Sequence, residues 1–277
     1  MTVRVFVRPL AAVFLATGWF IVGARPASAD DLALIKHRGT LVVGVKTDYP
    51  PFGFRSASSQ IVGIEPDLAA EVAKSLHTHL TLVPVTAANR IQLLEQGKVD
   101  LIIATMNNTM MRRSEVDVVK PYYYAAGYNV MAPKSMNLKA WAELKGTTVC
   151  GVQGAYYNEE AAADFELRVT AFAGPSEALE ALKQGRCVAL LFDDVAIEGR
   201  LLQAEWSDYD MPLRSQEVQP WAIAVRKGQP KWVAYMSSIV KTWVKDGTIV
   251  NLETKYHIRH SSFAEDAHEE ALKRSSN

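Results

Sequence analysis

An internal repeat constrains the fold of this chain more than any other feature of the sequence. GTLVVGV at residues 39–45 returns as GTTVCGV at 146–152, and EQGKVDLII at 95–103 returns as KQGRCVALL at 183–191. Each member of the second pair indicates a helix that ends at a glycine, followed by a strand apolar enough to be buried on both faces. The period is far too long for a solenoid, so the sequence predicts two similar units.

Helical patterns lie between the repeated strands. In residues 66–76, Leu68, Val72 and Leu76 recur at the spacing of one helix face. Residues 176–184 begin with Ser176, which is a favourable N-cap residue. Strands that alternate with helices are typical of α/β proteins. We therefore predict two lobes, each a mainly parallel sheet flanked by helices.

The chain is predicted to cross between the lobes twice, which would make a hinge. PYYYAAG at 121–127 follows the first lobe and SQEVQPW at 215–221 follows the second. A strand at 222–225 and a helix at 232–244 then return to the first lobe. The tail is polar and charged, so we expect it to be frayed or disordered. The predicted domains are lobe 1 (30–125 and 222–258), lobe 2 (126–221) and the polar tail (259–277).

Residues 1–29 have the pattern of a secretory signal peptide. Arg4 and Arg8 precede a long apolar stretch, and ASA at 27–29 supplies a small-x-small cleavage site. We expect cleavage after Ala29 and a periplasmic mature protein. The alternative, a membrane anchor, needs about 20 apolar residues and rarely ends in such a site.

Composition excludes several classes of partner. Removal of residues 1–29 takes away three of the 30 basic residues and none of the 30 acidic ones, which leaves a formal net charge of −3. Such a balance favours neither nucleic acid nor an anionic membrane surface as a partner. The sequence has no G-x-S-x-G hydrolase motif and no phosphate-binding G-x-x-x-x-G-K-[ST] loop. No cofactor is predicted.

The two cysteines, Cys150 and Cys187, leave two possibilities open. In an exported protein an even pair favours a disulfide. Both residues also lie in apolar runs, where a free thiol packs as a small hydrophobic group. Two cysteines without histidines at ligand spacing do not predict a metal site.

Polar residues follow the predicted strands, where ligands of open parallel sheets bind. In lobe 1 these residues are KTDYPPF at 46–52 and ATMNNTMMRR at 104–113; in lobe 2 they are QGAYY at 153–157 and FDD at 192–194. Lobe 1 thus offers hydroxyls and arginines, and lobe 2 offers carboxylates. Arg112 is predicted in the first turn of a helix, where a cation opposes the helix dipole, which indicates a role in function.

The same residues resemble the family 3 extracellular solute-binding proteins, the periplasmic amino-acid-binding proteins that feed ABC importers. The resemblance covers the chain from Gly39 to about Ile258. It implies a type II periplasmic-binding-protein fold of the Venus-flytrap kind, a monomer, a small amino acid as ligand and a membrane ABC permease as partner. The motifs that carry it are GVKTDYPPF (44–52), VGIEPDLA (62–69), GKVDLIIATMNNTMMRR (97–113), LKGTTVCGVQG (144–154) and GRCVALLFDD (185–194).

The resemblance also implies roles for individual residues. Arg112 would hold the ligand's α-carboxylate with both guanidinium nitrogens, and Asp193 would pair with its α-ammonium. Thr105 and Asn107 would add hydrogen bonds, and Tyr49 would form an aromatic wall.

Backbone N–H groups near Tyr156, next to Tyr157, would complete the carboxylate site. Arg113 points about 100° away from Arg112 on a helix, so we expect it to be a solvated surface charge.

Two further basic residues favour an acidic or polar ligand. Lys46 replaces the acid that is common after the opening strand, and Arg90 begins a predicted helix in lobe 1. Together they are similar to the glutamate- and aspartate-binding subgroup, although a surface role for Lys46 stays open. Lobe 2 has no histidine before the Ser176 helix, where that subgroup has one.

Two other functions remain to be separated from ligand binding. Exported cyclohexadienyl dehydratases are similar to this family in fold, and Glu159, Glu160 or Asp194 could supply the acid or base such an enzyme needs. We favour binding over catalysis because no catalytic spacing is present. A sensor domain of a receptor would need a membrane span in the same chain, and none follows residue 258.

Overall fold

The structure, a computed structural model, describes residues 30–275. The predicted signal peptide and its cleavage after Ala29 lie outside the described residues. Within them the helices are α1 (Asp31–Arg38), α2 (Ile64–Leu76), α3 (Arg90–Glu95), α4 (Met110–Glu115), α5 (Tyr157–Asp164), α6 (Pro175–Lys183), α7 (Asp194–Leu201), α8 (Pro230–Lys245), α9 (Thr248–Lys255) and α10 (Ser262–Ser275). Short 3-10 helices occur at Lys134–Met136, Trp141–Leu144 and Ala204–Trp206.

The strands form two larger sheets and one small one. They are β1 (Thr40–Val45), β2 (Asp48–Tyr49), β3 (Gly53–Arg55), β4 (Ile61–Val62), β5 (His79–Pro84), β6 (Leu101–Ile102), β7 (Asp117–Val118), β8 (Tyr124–Pro133), β9 (Thr148–Val152), β10 (Arg168–Phe172), β11 (Ala189–Asp193), β12 (Tyr209–Asp210), β13 (Gln216–Trp221) and β14 (Ala224–Val225). The small sheet has the order β2-β3-β4.

The sheet of lobe 1 has the strand order β5-β1-β6-β14-β7. β1 runs parallel to β5 and to β6, whereas β14 runs antiparallel to β6 and β7. Since β14 follows all the strands of the other lobe in sequence, the chain returns to this sheet near its end.

The sheet of lobe 2 has the strand order β10-β9-β11-β8-β12, and β13 also pairs with β8. β9 runs parallel to β10 and β11, whereas β8 is antiparallel to β11, β12 and β13. The predicted α/β class with two lobes is confirmed. Both sheets are mixed rather than mainly parallel, because β8 and β14 join them in the opposite direction; the exact domain boundaries stay a prediction.

The two chain crossings lie side by side. β8 begins at Tyr124 and β13 ends at Trp221, and these two residues are partners in the antiparallel β8–β13 ladder. Ala125 pairs with Pro220 and Ala126 with Gln219 in the same ladder. The connection between the lobes is therefore a two-stranded ribbon.

The repeated segments form the buried centre of each lobe. β1 and β6 bury their large aliphatic side chains in the first lobe, apart from the partly buried Val42, and β9 and β11 do the same in the second. Gly97 and Gly185, just after α3 and α6, have φ angles of 68° and 69°, a left-handed conformation that favours glycine. The predicted pattern of a helix ending at a glycine before a buried strand is confirmed.

Of the two predicted helices, α2 has the predicted buried face and α6 has a different first residue. α2 buries Leu68, Val72 and Leu76 as predicted, and it begins at Ile64, two residues before the predicted start. The prediction that Ser176 caps α6 is wrong, because the helix begins at Pro175. Proline is well suited to the first helical position, since its fixed φ is helical and its missing N–H has no partner there.

The prediction of a frayed or disordered tail is also wrong. Residues 262–275 form α10, which packs against α8 and α9 and buries Ala264. The His268 ring nitrogen Nδ1 donates a hydrogen bond to the Val244 carbonyl at 2.9 Å. The segment is rich in charged residues, but it also has an apolar stripe. A short helix of this kind is stable mainly because another part of the protein covers its apolar face. No helix in the described part of the chain is long and apolar enough to cross a membrane.

The two cysteines are joined. Cys150 lies in β9 and Cys187 lies two residues before β11, the neighbouring parallel strand, with their Cα atoms 5.4 Å apart. Both side chains are buried. Of the two possibilities left open by the sequence, the structure has the disulfide.

We expect replacement of both cysteines by alanine to lower the free energy of unfolding by about 3–4 kcal/mol. The physical reason is the loop that the bond closes in the unfolded chain, given a sequence separation of 37. Guanidinium denaturation of the oxidised protein and the double variant measures the difference. Reductant should destabilise the wild type and leave the variant unchanged; equal midpoints for the two oxidised proteins would contradict the expectation.

Candidate functional site

A small cavity lies between the two lobes, at the carboxyl ends of β1, β6, β9 and β11. The space left between its side chains is about 20 Å³, room for about one water molecule. Its lining residues are Lys46, Tyr49, Ala87, Arg90, Thr105, Asn107, Arg112, Val152, Gly154, Ala155, Tyr157, Phe192 and Asp193. All the predicted site residues except Tyr156 are among them.

Arg112 reaches across the cleft. Its Nη1 donates to the Asn107 carbonyl at 2.9 Å in its own lobe, and its Nη2 donates to the Gly154 carbonyl of the other lobe at 2.8 Å. Burial lowers the pKa of the guanidinium. The predicted conflict with the helix dipole does not hold, because α4 has six residues and Arg112 belongs to its last turn as well. Arg113 is exposed, as expected.

Asp193 ends β11 on the opposite wall. Its Oδ2 accepts a hydrogen bond from the Tyr157 hydroxyl at 3.3 Å and another from the Tyr49 hydroxyl of lobe 1. Burial raises the pKa of this carboxyl to about 6, although both hydroxyls favour the charged form. The Tyr49 contact joins the lobes a second time.

Lys46 and Arg90 form a second basic region of the cavity. Both are 2% exposed, so the alternative of a surface role for Lys46 is wrong. The Lys46 ammonium lies 3.9 Å from the Asp48 carboxylate, and burial lowers its pKa. Arg90 donates to the Ala104 carbonyl through Nη1, and burial, with the nearby charge of Arg112, lowers its pKa to about 9.

Glu65 is a functional candidate that the sequence reading missed. It is fully buried in the first turn of α2, and its Oε1 accepts from the Thr105 amide and from the Tyr123 hydroxyl, both at 2.6 Å. Thr105 has a φ of 47°, a conformation rare for a β-branched residue. Its amide is thus held by Glu65 behind the cavity wall. The only sign of Glu65 in the sequence was its place in the motif VGIEPDLA, which also carries the family resemblance.

The loop after β9 approaches lobe 1 closely. Gly154 has a φ of 79°, and a Cβ there would lie 2.7 Å from the Ala87 carbonyl carbon and 2.8 Å from the Ala88 amide nitrogen. Only glycine allows this contact between the lobes. Tyr156 is not among the residues that line the cavity, and its hydroxyl donates to the Glu217 carbonyl of β13 at 3.2 Å.

Three buried polar atoms of the cavity residues have no hydrogen-bond partner within residues 30–275. They are Arg90 Nε, Asn107 Nδ2 and Asp193 Oδ1. A buried polar atom left unpaired costs about 1–3 kcal/mol. Two unpaired donors and one unpaired acceptor suit a ligand that carries both an anionic and a cationic group. Within residues 30–275, no group of three or more His, Cys, Asp or Glu side chains could hold a metal ion.

Two lobes that meet at a cavity and are joined by a two-stranded ribbon define a two-lobed binding protein. Comparison with known proteins identifies the family. The pattern of the bacterial extracellular solute-binding proteins, family 3, matches residues 41–259. This chain belongs to that family, and the resemblance noted from the sequence is confirmed.

Individual relatives support the same assignment. The chain is 31% identical over 239 residues to the ABC transporter glutamine-binding protein GlnH of Bacillus subtilis (strain 168), which covers 84% of this chain and 86% of the relative. It is 23% identical over 232 residues to the glutamate/aspartate import solute-binding protein of Escherichia coli (strain K12), covering 78% and 76%.

A solved structure is similar as well. The crystal structure of the ancestral amino-acid-binding protein AncCDT-1, a precursor of cyclohexadienyl dehydratase, has a TM-score of 0.72 and 30% sequence identity, and covers 81% of this chain and 98% of that one.

We expect Asp193→Asn to change how stability depends on pH. The folded pKa of about 6 is raised above the model-compound value of 3.8, so this carboxyl stabilises the fold fully below about pH 4 and loses that contribution as the pH rises to about 6. The free energy of unfolding of the variant, relative to the wild type, should therefore rise by up to about 3 kcal/mol between these pH values. Urea denaturation at several pH values measures it; a difference that stays constant with pH would contradict the assignment.

Proposed function

We propose that this protein binds a free amino acid in the cleft and that the lobes close over it. The observation that carries the proposal is the set of three unpaired buried atoms, Arg90 Nε, Asn107 Nδ2 and Asp193 Oδ1. They lie on a cavity wall to which both lobes contribute. A ligand that touches both lobes stabilises the closed form through contacts that the open form cannot make.

Arg112 and Asp193 are the proposed main contacts of the amino-acid backbone. The guanidinium binds the α-carboxylate in the two-pronged geometry that arginine favours. The Asp193 carboxylate binds the α-ammonium through Oδ1, while Tyr49 and Tyr157 keep Oδ2 oriented. Thr105 and Asn107 add polar contacts. Because the present cavity is smaller than an amino acid, the lobes must separate for the ligand to enter.

Membership of the solute-binding family supports a role in import. We propose that the protein is exported through its signal peptide, with cleavage after Ala29, and works in the periplasm as a monomer. There it delivers its ligand to a membrane ABC permease. The glutamine-binding relative of Bacillus subtilis, an ABC-transporter protein, supports this role. We propose no nucleic-acid partner, and the formal charge supports that.

The proposed ligand is acidic or polar. Lys46 and Arg90 place two buried cations in the cavity wall beyond the one needed for an α-carboxylate. A ligand with a second carboxylate would bind near them, and glutamate and aspartate are the simplest amino acids of that kind. The relative that imports glutamate and aspartate in Escherichia coli supports this choice.

A dehydratase is the second candidate. The similarity to a precursor of cyclohexadienyl dehydratase is the observation that favours this candidate. Of the carboxyls the sequence suggested for such chemistry, Glu159, Glu160 and Asp194, none lines the cavity. We therefore propose a protein without catalytic activity. Turnover of prephenate or arogenate by the purified protein would overturn this part of the proposal.

We expect Arg112→Ala to lower affinity for the ligand about a hundredfold, because a desolvated carboxylate loses its charged partner, at a cost of about 2–4 kcal/mol. Isothermal titration calorimetry with the amino acid that gives the largest thermal shift measures the loss. The matched control is Arg113→Ala, which removes an exposed charge next in the chain and should bind normally. Unchanged affinity in the folded Arg112 variant would contradict the proposed role.

We expect Lys46→Met to weaken glutamate binding about tenfold or more while changing glutamine binding little, because only glutamate has a charged side chain. A thermal-shift panel of the common amino acids and small dicarboxylates on the wild type comes first, and titration of the variant with both ligands follows. Equal loss for the two ligands would contradict a charge-specific role, and a wild-type shift with arginine or lysine alone would reverse the ligand class.

A further inference from the structure

We propose that Glu65 is a positioning residue that balances the buried charges of Lys46 and Arg90 and takes up a proton when an anionic ligand reaches those two cations. The inference rests on the proposed function, because it needs an amino acid with a second carboxylate in the cleft. It adds a proton to the binding reaction and assigns it to one side chain.

Glu65 acts from behind the cavity wall. The residue is fully buried and is not among the cavity's lining residues, so it makes no direct contact with a ligand there. One of its carboxylate oxygens holds the Thr105 amide and the Tyr123 hydroxyl, each at 2.6 Å. The other, Oε2, has no hydrogen-bond partner in the part of the chain that the structure describes.

The charges around Glu65 come from several elements. Lys46 follows β1 and Arg90 begins α3, and both favour its charged form. Tyr123 and Tyr49 present hydroxyl-bearing rings, and Tyr123 donates its hydrogen to the carboxylate. Burial outweighs these contributions and raises the pKa of Glu65 to about 7. A small change in its surroundings therefore changes its protonation at neutral pH.

An anionic ligand provides such a change. A carboxylate that binds Lys46 and Arg90 competes with Glu65 for the same cations and repels its negative charge, so the pKa of Glu65 rises on binding. A group whose pKa is higher in the complex takes up protons between the free and the bound pKa values. Affinity should therefore fall as the pH rises above about 7, by at most about tenfold per pH unit.

Three other groups exchange protons and must be separated from Glu65. Asp193, with a pKa of about 6, would release protons on pairing with the ligand's ammonium, and this contribution becomes small well above that pH. Lys46 and Arg90, whose pKa values burial lowers, would also take up protons beside an anion. A Glu65→Gln variant keeps these three groups and removes only the Glu65 carboxylate.

The test is calorimetric titration of the mature chain with L-glutamate at about pH 8, in two buffers of different ionisation enthalpy. The difference in heat gives the number of protons exchanged. We expect the wild type to take up on the order of half a proton per ligand, and Glu65→Gln to lose that uptake while still binding. Glutamine still offers an oxygen to the Thr105 amide and the Tyr123 hydroxyl, so this variant preserves the hydrogen-bond geometry.

Glu253→Gln is the matched control. Glu253 is another fully buried carboxylate with a raised pKa, caused mainly by burial, and it accepts from the Tyr124 hydroxyl at 2.8 Å and the Ser261 amide at 3.0 Å. It is not among the residues of the cavity wall. The control variant should take up the same fraction of a proton as the wild type.

A second variant keeps the test decisive if Glu65→Gln does not fold. Tyr123→Phe removes a hydrogen bond that lowers the pKa of Glu65, so the pH of maximal uptake should move upward. Uptake that persists in Glu65→Gln would assign the proton to Lys46 or Arg90 and overturn the inference. Glutamate binding without uptake, or binding of neutral amino acids alone, would overturn it and leave the proposed function intact, whereas a protein that binds no amino acid fails both.

Discussion

The site depends on buried charged side chains that form hydrogen bonds across the boundary between the two lobes. Arg112 of one lobe donates to the Gly154 carbonyl of the other, and Asp193 accepts from Tyr49 in the opposite direction. Removing such charges from water is costly, and each contact exists only while the lobes are together. The residues that would bind a ligand therefore also determine how the lobes meet, so affinity and domain closure are one physical problem.

The sequence was informative wherever a function is tied to a strand end. The sequence predicted that one site would contain Lys46, Thr105 and Asp193, and all three line the cavity. The prediction was possible because parallel strands present their carboxyl ends at one edge of a sheet, and the repeated strand–helix pattern locates those ends. Arg90 and Arg112 followed from the short helices beside these strands. The position of each residue near the cavity was predictable; the direction of its side chain was not, as Tyr156 illustrates.

The missed features depend on contacts between distant parts of the chain. An acid in the first turn of a helix, such as Glu65, has an ordinary explanation in the helix dipole. The hydroxyl that donates to its carboxylate belongs to Tyr123, 58 positions away. α10 was equally hard to predict, because its charged composition suits a solvated tail. The surface that stabilises it comes from α8 and α9. The disulfide depended on whether β9 and β11 are neighbours, which local patterns cannot decide.

The ribbon of β8 and β13 limits the kind of motion that the lobes can undergo. The antiparallel ladder that pairs Tyr124 with Trp221 and continues through their neighbours ties the two connections to each other, so neither can lengthen or slide alone. A paired ribbon bends and twists more easily than it stretches or shears. The lobes should therefore swing about one axis near this ladder, and a displacement of a fraction of an ångström there becomes a much larger opening at the far rim of the cleft.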